Sequence, residues 1–404
     1  MDVKRAFLYG DIEEEIFIEL PDEDPKKAMG YIGRLLKAMY GTRSAPLVWQ
    51  KMVRKTMARL GFHACMTIPC LYYHKARDIY LVAHVDDFLC SGEPEDLKWI
   101  IDELQKEYDI TYDIIGPGGK AKYLGRTIEW SRSGISIEGE NKYIKSMVKE
   151  WSMESSSGLA TPGCEEDKRA VGREELLDAA GATRFRRSAA MINYMAQDRP
   201  DLSFASKETS RGMASPTEKD VIKLKRCIRY LMKVPRRRIM YKWQDTPTTI
   251  STYSDSDWAG CLKTRKSTSG GVLMVGKHAI HHWSTTQSVV ALSSAEAELN
   301  AIVKSISETL CVVNMAKECN MILKGQVMTD STAANGIVHR QGCGKVKHLE
   351  CRQLWVQAVV GGGEVTCQKV PRDLNPGDAL THYWTQGDGF KHFQRIGLEV
   401  PEGL

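Results

Sequence analysis

The sequence has no run approaching the ~20 consecutive apolar residues that would span a bilayer. Its opening, Met1-Asp2-Val3-Lys4, lacks the basic-then-apolar order of a secretion leader, so an intracellular protein is expected. Its eleven cysteines are an odd number and include no Cys-x-x-Cys, which argues against a disulfide framework and for reduced thiols. Cys343, His348, Cys351 and Cys367 match no ordinary zinc-finger spacing and are read as side chains without a metal. The low hydrophobicity and high charge of disordered chains are absent as well: 42% of residues are hydrophobic and 26% charged, which is globular composition. At 404 residues the chain is long enough for two or three domains.

A strong net charge of one sign is missing too, because the total is only +5, but the charges are unevenly placed. Met1 to Asp24 carries nine carboxylates against Lys4 and Arg5. Lys219 to Lys242 carries ten basic residues against Asp220 alone. Such a local positive field attracts polyanions, and Lys223, Lys225, Arg226, Arg229, Arg236, Arg237 and Arg238 are candidates for nucleic-acid contact.

Periodicity gives the organisation. Trp49, Met52, Val53, Met57 and Leu60 recur at helical spacing, as do Leu97, Ile100, Ile101, Leu104 and Tyr108. Between them, Ile79 to Val85 and Phe88 to Cys90 read as a hairpin with Asp86-Asp87 at its turn. The segment from Ser152 to Glu175 loses periodicity and reads as a linker. A helical stretch follows, in which Val221, Leu224, Ile228 and Leu231 form one apolar stripe. Beyond it, strands are expected at Thr249 to Ser254, Gly271 to Val275, His278 to Ser284, Gln326 to Thr329 and Glu364 to Val370. Helices are expected from Ser294 and around His348 to Val360. That order implies a mixed α/β sheet. Trp258, Trp283 and Trp355 are read as core residues.

Carboxylates at strand ends are costly unless a cation meets them. Asp2 precedes an apolar stretch, and with Asp86 and Asp87 it forms a set that suits divalent metal ions in phosphoryl transfer. An isolated Asp-Asp pair more often forms a plain turn.

The segments Asp2-Val3-Lys4-Arg5-Ala6-Phe7-Leu8-Tyr9-Gly10-Asp11, Met39-Tyr40-Gly41-Thr42-Arg43-Ser44-Ala45-Pro46 and Val85-Asp86-Asp87 resemble successive polymerase motifs of copia-type retrotransposon reverse transcriptases. Tyr123-Leu124-Gly125, Arg199-Pro200-Asp201-Leu202 and Ser254-Asp255-Ser256-Asp257-Trp258-Ala259-Gly260 continue the resemblance in the family's order. It implies an α+β polymerase palm and thumb, then a helical connection, then an α/β ribonuclease H-like mixed-sheet domain. The units expected are a truncated palm and start of the thumb (1–152), a basic helical thumb and connection region (153–246), the ribonuclease H-like domain (247–385) and a C-terminal tail (386–404). In this family Asp2, Asp86 and Asp87 would bind the metals for nucleotide addition, and Phe7 would exclude a 2′-hydroxyl sterically. The sequence departs from the family at His84, where a tyrosine is usual, and at Ser44, where a glutamine is usual.

For the last domain the resemblance implies that Asp255, Glu298, Asp330 and Asp378 hold two Mg²⁺ ions, with Mn²⁺ as the alternative ion. Glu296 completes a Ser-x-x-Glu helix-capping box with Ser293, so the family pattern rather than periodicity selects Glu298. Alternation leaves Asp257 on the same strand face as Asp255, and the resemblance favours Asp255. His348 and Arg352, four apart and preceded by Lys345 and Lys347, are read as one helix face contacting the phosphates of a hybrid.

The activity expected first is Mg²⁺-dependent cleavage of RNA in an RNA–DNA hybrid. RNA-templated DNA synthesis is expected only with a fingers region, which the family places before the first acid. The partners implied are the hybrid, RNA template, DNA and the rest of a Pol polyprotein, with no membrane. The place implied is the cytoplasm, virus-like particles or the nucleus. The alternative is a decayed or domesticated remnant that binds nucleic acid without catalysis.

Overall fold

A computed structural model describes residues 1–165, 174–344 and 347–401, without the side chains of Arg352 and Asp388. The chain forms two compact units, Met1–Ile114 with Asn314–Met321, and Ile115–Val313 with Ile322–Leu404.

The first unit begins with β1 (Asp2–Val3), β2 (Phe17–Glu19) and β3 (Ile32–Arg34), the last two pairing as a separate ribbon. Helix α1 (Ala45–Arg59) starts on Ala45-Pro46, where a proline's missing N–H costs nothing, and buries Trp49, Val53 and Met57 on one face. Then come β4 (His63–Ala64), β5 (Leu71–His74), β6 (Ile79–His84), β7 (Asp87–Ser91), α2 (Pro94–Gln105) and β8 (Ile110–Thr111). Glu95 and Asp96 complement the dipole in the first turn of α2, which buries Ile100, Ile101 and Leu104. The sheet runs β4-β5-β6-β7-β1-β8, antiparallel throughout. Short β1 thus lies inside the sheet, between β7 and the edge strand β8, and its Val3 joins the core that the two helices close.

The second unit opens with β9 (Lys120–Tyr123), β10 (Arg126–Ser131), β11 (Gly134–Gly139) and α3 (Lys142–Glu150). Helices α4 (Ala179–Met195), α5 (Ser203–Ser210) and α6 (Glu218–Lys233) follow. Thr217 and Asp220 form a reciprocal capping box at the start of α6, and its expected stripe is buried together with Cys227 and Tyr230. Strand β12 (Arg238–Lys242) leaves the helical region and pairs with β11.

Next come β13 (Thr249–Asp257), β14 (Thr268–Val275), β15 (His278–Thr286), α7 (Ser294–Glu318), β16 (Lys324–Thr329), α8 (Thr332–Val338), α9 (Cys351–Gly361) and β17 (Val365–Lys369). Their sheet runs β15-β14-β13-β16-β17, antiparallel on one side of β13 and parallel on the other, the mixed α/β arrangement expected of a ribonuclease H-like domain. Helix α8 was not expected from the sequence. Residues after 385 are not a loose tail: α10 (Gln386–Arg395) buries Phe393, and β18 (Leu398–Glu399) pairs with β12. The boundary drawn at residue 246 does not divide packing either, because α3 to α6, Val272 and Met274 of β14, and Phe393 share one core.

Candidate active site

Among the described residues, the acids singled out from the sequence lie at one place in each unit. In the first, Asp2 and Asp87 are direct partners across the β1–β7 ladder, and Asp86 occupies the turn between β6 and β7. The Val3 amide donates to Asp86 O at 2.9 Å, which locks β1 beside that turn. Val85, the first turn residue, has φ 54°, a conformation that costs a β-branched residue about 1–2 kcal/mol. Trp49 Nε1 donates to Val85 O at 2.6 Å and holds the strained turn from α1. Burial raises the Asp87 carboxyl above its ordinary range, and the charges of Asp86 and Asp2 add to the effect. Phe7 sits in the 3-10 turn Ala6–Tyr9 that follows β1, with its ring centroid 4.6 Å from that of Tyr40. His84 is the cross-strand partner of Asp87, and Ser44 precedes α1 without capping it.

In the second unit Asp255 lies near the end of β13, Glu298 on the second turn of α7, and Asp330 directly after β16. One carboxylate oxygen from each of these three lies within 4.8 Å of the others. Burial is the first cause that raises the Asp255, Glu298 and Asp330 carboxyls; repulsion among the three adds to it for Asp255 and Glu298. Glu298 Oε2 is buried without a hydrogen-bond partner. An orphaned carboxylate oxygen beside two more carboxylates is a donor set suited to a hard divalent cation, so these residues fit Mg²⁺ or Mn²⁺.

Asp378 falls outside that tight group. It sits on the 3-10 turn Asp378–Leu380, accepts from Arg372 Nε at 3.0 Å and lies 3.7 Å from His382 Nε2. Its charge still acts on Asp255 and Asp330, raising both. The two ambiguous acids do other work. Glu296 accepts from the Leu292 amide at 2.8 Å, while its own amide donates to Ser293 Oγ, so it closes the start of α7. Asp257 accepts from the Thr268 amide.

Several expectations need correction. His348 does not share a helix with Arg352: the Glu350–Gln353 capping box starts α9 at Cys351, and His348 precedes it, with Nε2 2.8 Å from Glu296 Oε2. The Arg352 side chain and Lys345 lie outside the described residues. Much of the basic run is engaged within the protein. Arg226 donates to Thr161, Arg229 to Ser157, and Arg236 grips both Glu138 oxygens at 2.6 and 2.7 Å. Arg238 lies 3.9 Å from Glu129 and 4.0 Å from Glu399, and Arg237 is buried over the Phe390 ring. Lys225 lies over Trp151, and Lys223 is half-buried. A charge count cannot see these partners, which are distant in sequence. Trp283 is buried as expected, whereas Trp258 and Trp355 are 56% and 40% exposed. The sequence reading also missed Thr381, whose hydroxyl donates to Asp255 Oδ2 at 2.6 Å, and Asn375, whose amide reaches Ser254 O. Their signal was the Asn-Pro-Gly turn preceding Asp378.

Among known proteins, the family described as Reverse transcriptase (RNA-dependent DNA polymerase) matches residues 1–165. The retrovirus-related Pol polyprotein from transposon TNT 1-94 of Nicotiana tabacum is 27% identical over 94% of this chain and 29% of that protein. The corresponding polyprotein from transposon RE2 of Arabidopsis thaliana is 27% identical over 99% of this chain and 28% of its own length. The chain therefore spans under a third of these curated relatives. A solved structure of the foamy viral protease-reverse transcriptase in complex with an RNA/DNA hybrid aligns with 92% of this chain and 43% of that one, at a TM-score of 0.52 and 10% identity, which is a likeness of fold. With those matches, residues 1–165 carry the reverse transcriptase family's pattern, and nearly the whole chain is similar to a part of the Pol polyproteins of transposons.

Proposed function

We propose that the second unit cleaves the RNA strand of an RNA–DNA hybrid in a divalent-metal-dependent reaction, and that the first unit supplies the palm for RNA-templated DNA synthesis. The observation that carries the cleavage reading is the approach of Asp255, Glu298 and Asp330 to within 4.8 Å from three separate elements. Asp255, Glu298 and Asp330 would hold the ions, with Asp378 at the margin. Bound there, a divalent ion supplies Lewis-acid activation of water and compensates charge developing on a phosphodiester.

The chain's own residues do the rest. Burial of Asp255 keeps bulk water from screening the site, so the acids respond strongly to one another and to an arriving cation. Glu298 and Asp255 are hard to ionise on their own, so they would release protons on binding a cation. Arg372 beside Asp378 gives the margin of the site positive character, suited to a phosphate. In the first unit Asp2, Asp86 and Asp87 would serve nucleotide addition, and Phe7, braced by Tyr40, would stand against the sugar. Lys223 and Lys225 remain candidates for tracking the hybrid's backbone.

The test is cleavage of hybrid, duplex DNA and single-stranded RNA by the full chain, with Mg²⁺, Mn²⁺ or chelator, against Asp330→Asn. Metal-dependent cleavage of the hybrid alone, lost in the variant, supports the reading. Hybrid binding with no cleavage, identical in both proteins, would favour a remnant that only binds. Cleavage that ignores metal or the hybrid contradicts the proposal.

A further inference from the structure

We propose that Thr381 is the positioning residue of the acidic site: its hydroxyl occupies one oxygen of Asp255 and leaves that carboxylate a single oxygen for a cation. The proposal rests on the metal-dependent reading above and goes further, since it assigns a role to a residue that is not an acid.

Thr381 is 1% exposed, and Asp255, which it meets, is 5% exposed. Thr381 Oγ1 stands 2.6 Å from Asp255 Oδ2, 2.9 Å from Asp378 O and 3.3 Å from His382 Nδ1. A hydroxyl has one proton to donate. The shorter contact, to a carboxylate, claims it, because charge-assisted hydrogen bonds are the stronger kind. Asp255 Oδ2 is therefore engaged by Thr381, which would favour the other oxygen for a cation shared with Glu298 and Asp330.

The backbone around Thr381 is built for this contact. Asn375 is fully buried; its Nδ2 donates to Ser254 O at 3.0 Å, and its Oδ1 accepts from the Gly377 amide at 3.1 Å. The turn that carries Thr381 is thereby pinned to the residue just before Asp255. Gly270 of β14 makes the close approach possible, because a Cβ there would lie 2.7 Å from both Gly377 O and the Thr381 methyl. A side chain at 270 would push the turn, and with it the hydroxyl, away from Asp255. The same turn bears Asp378, so one local structure sets both the orientation of Asp255 and the place of Asp378.

The experiment uses the full chain with Thr381→Val, which keeps the shape without the hydroxyl, and Thr381→Ser, which keeps the hydroxyl without the methyl. Mn²⁺ binding is measured without nucleic acid, and Mg²⁺-dependent hybrid cleavage is split into kcat and KM, with thermal melting as the check on folding. Thr381→Val should bind Mn²⁺ about 10- to 100-fold more weakly and lose kcat with KM for the hybrid unchanged. Thr381→Ser should stay near wild type. Should the valine variant fail to fold, Thr381→Ala against Thr381→Ser isolates the hydroxyl, and alanine is expected to show the loss. A folded valine or alanine variant with wild-type Mn²⁺ affinity overturns the proposal, and so does a serine variant as weak as either. A wild type that binds no Mn²⁺ overturns the functional reading and this one with it; wild-type binding with unaffected variants overturns this one alone.

Discussion

Asp2 and Asp87 face each other as register partners on adjacent antiparallel strands, with Asp86 one residue away in a turn held at positive φ by Val85. Like charges opposite one another weaken a ladder. That the sheet nevertheless places them together, and that Trp49 braces the turn, fits a site arranged to meet positive charge.

The arrangement predicts a titration. Asp87 is raised first by burial and then by Asp86 and Asp2. Asp86→Asn removes one repelling charge, so the Asp87 carboxyl should fall toward its ordinary range, as read by carboxyl-carbon NMR. The same variant should weaken divalent-cation binding at this site by at least about tenfold. An unchanged Asp87 would mean that Asp86 does not raise it.

Glu298 predicts a pH dependence of stability. Its carboxyl is pushed up to about 9 by burial, then by the charges of Asp255 and Asp330. A folded-state pKa above the unfolded value of ~4.3 gives a contribution that is complete below that value and lost as pH climbs toward the folded one. With chelator present, the wild type should melt at a lower temperature at pH 8.5 than at pH 6. Glu298→Gln should flatten that difference by several degrees, and Mg²⁺ should narrow it in the wild type. A wild-type slope no steeper than the variant's would contradict the assignment.

Arg236 separates structural from binding charge. Its two-point grip on Glu138 joins the approach to β12 with β11, so Arg236→Ala should cost about 1 kcal/mol of stability. It should leave the salt dependence of hybrid binding unchanged. Lys223→Ala should instead reduce the salt slope by about one unit while leaving the urea midpoint in place. The opposite pattern, read from binding curves at several salt concentrations, would restore Arg236 to the nucleic-acid surface.

The basic run shows why the sequence was readable in some places and not in others. The stripes of α1, α6 and α7, the hairpin of β6 and β7, and the strands around Asp255 were legible because helix and strand periodicity are local properties. The acids stood out as candidates, but Asp255 and Glu298 were chosen over Asp257 and Glu296 by the resemblance to a family and not by their spacing. Strand β12 was hidden because Arg238 and Lys242 read as charge, and its strand character comes from pairing with Gly134 to Ile137, about a hundred residues earlier. Helix α8 is seven residues long and is started by the Ser331 cap rather than by an apolar stripe. Phe393 and Leu398 gave no tail signal because their core partners lie on distant helices. The Asn-Pro-Gly turn marked the neighbourhood of Thr381 but not the residue itself, because its contact is with Asp255, 126 positions earlier.

Asp201 offers the strongest test of the second unit's stability, because its charge is buried and fully used. Arg199 donates to Asp201 Oδ1 through Nε at 2.9 Å and to Oδ2 through NH2 at 2.7 Å, while the Tyr230 hydroxyl adds a bond to Oδ2 at 2.6 Å. Both members of the ion pair are nearly inaccessible, at 4% and 2%. Burial alone would raise the Asp201 carboxyl, but the Arg199 guanidinium outweighs it and holds the carboxyl below its usual range. Asp201→Asn leaves a buried guanidinium without its counter-charge and should cost about 3–5 kcal/mol in urea unfolding. Tyr230→Phe removes only one hydrogen bond and should cost about 1–2 kcal/mol. The paired replacement Arg199→Met with Asp201→Leu should cost less than Asp201→Asn alone, since the penalty of the single variant is the charge it strands rather than the bond it breaks. A double variant no more stable than the single one would show that the pair acts through the geometry it imposes on the Val234 carbonyl and the Trp384 indole, which Arg199 and Asp201 also bind.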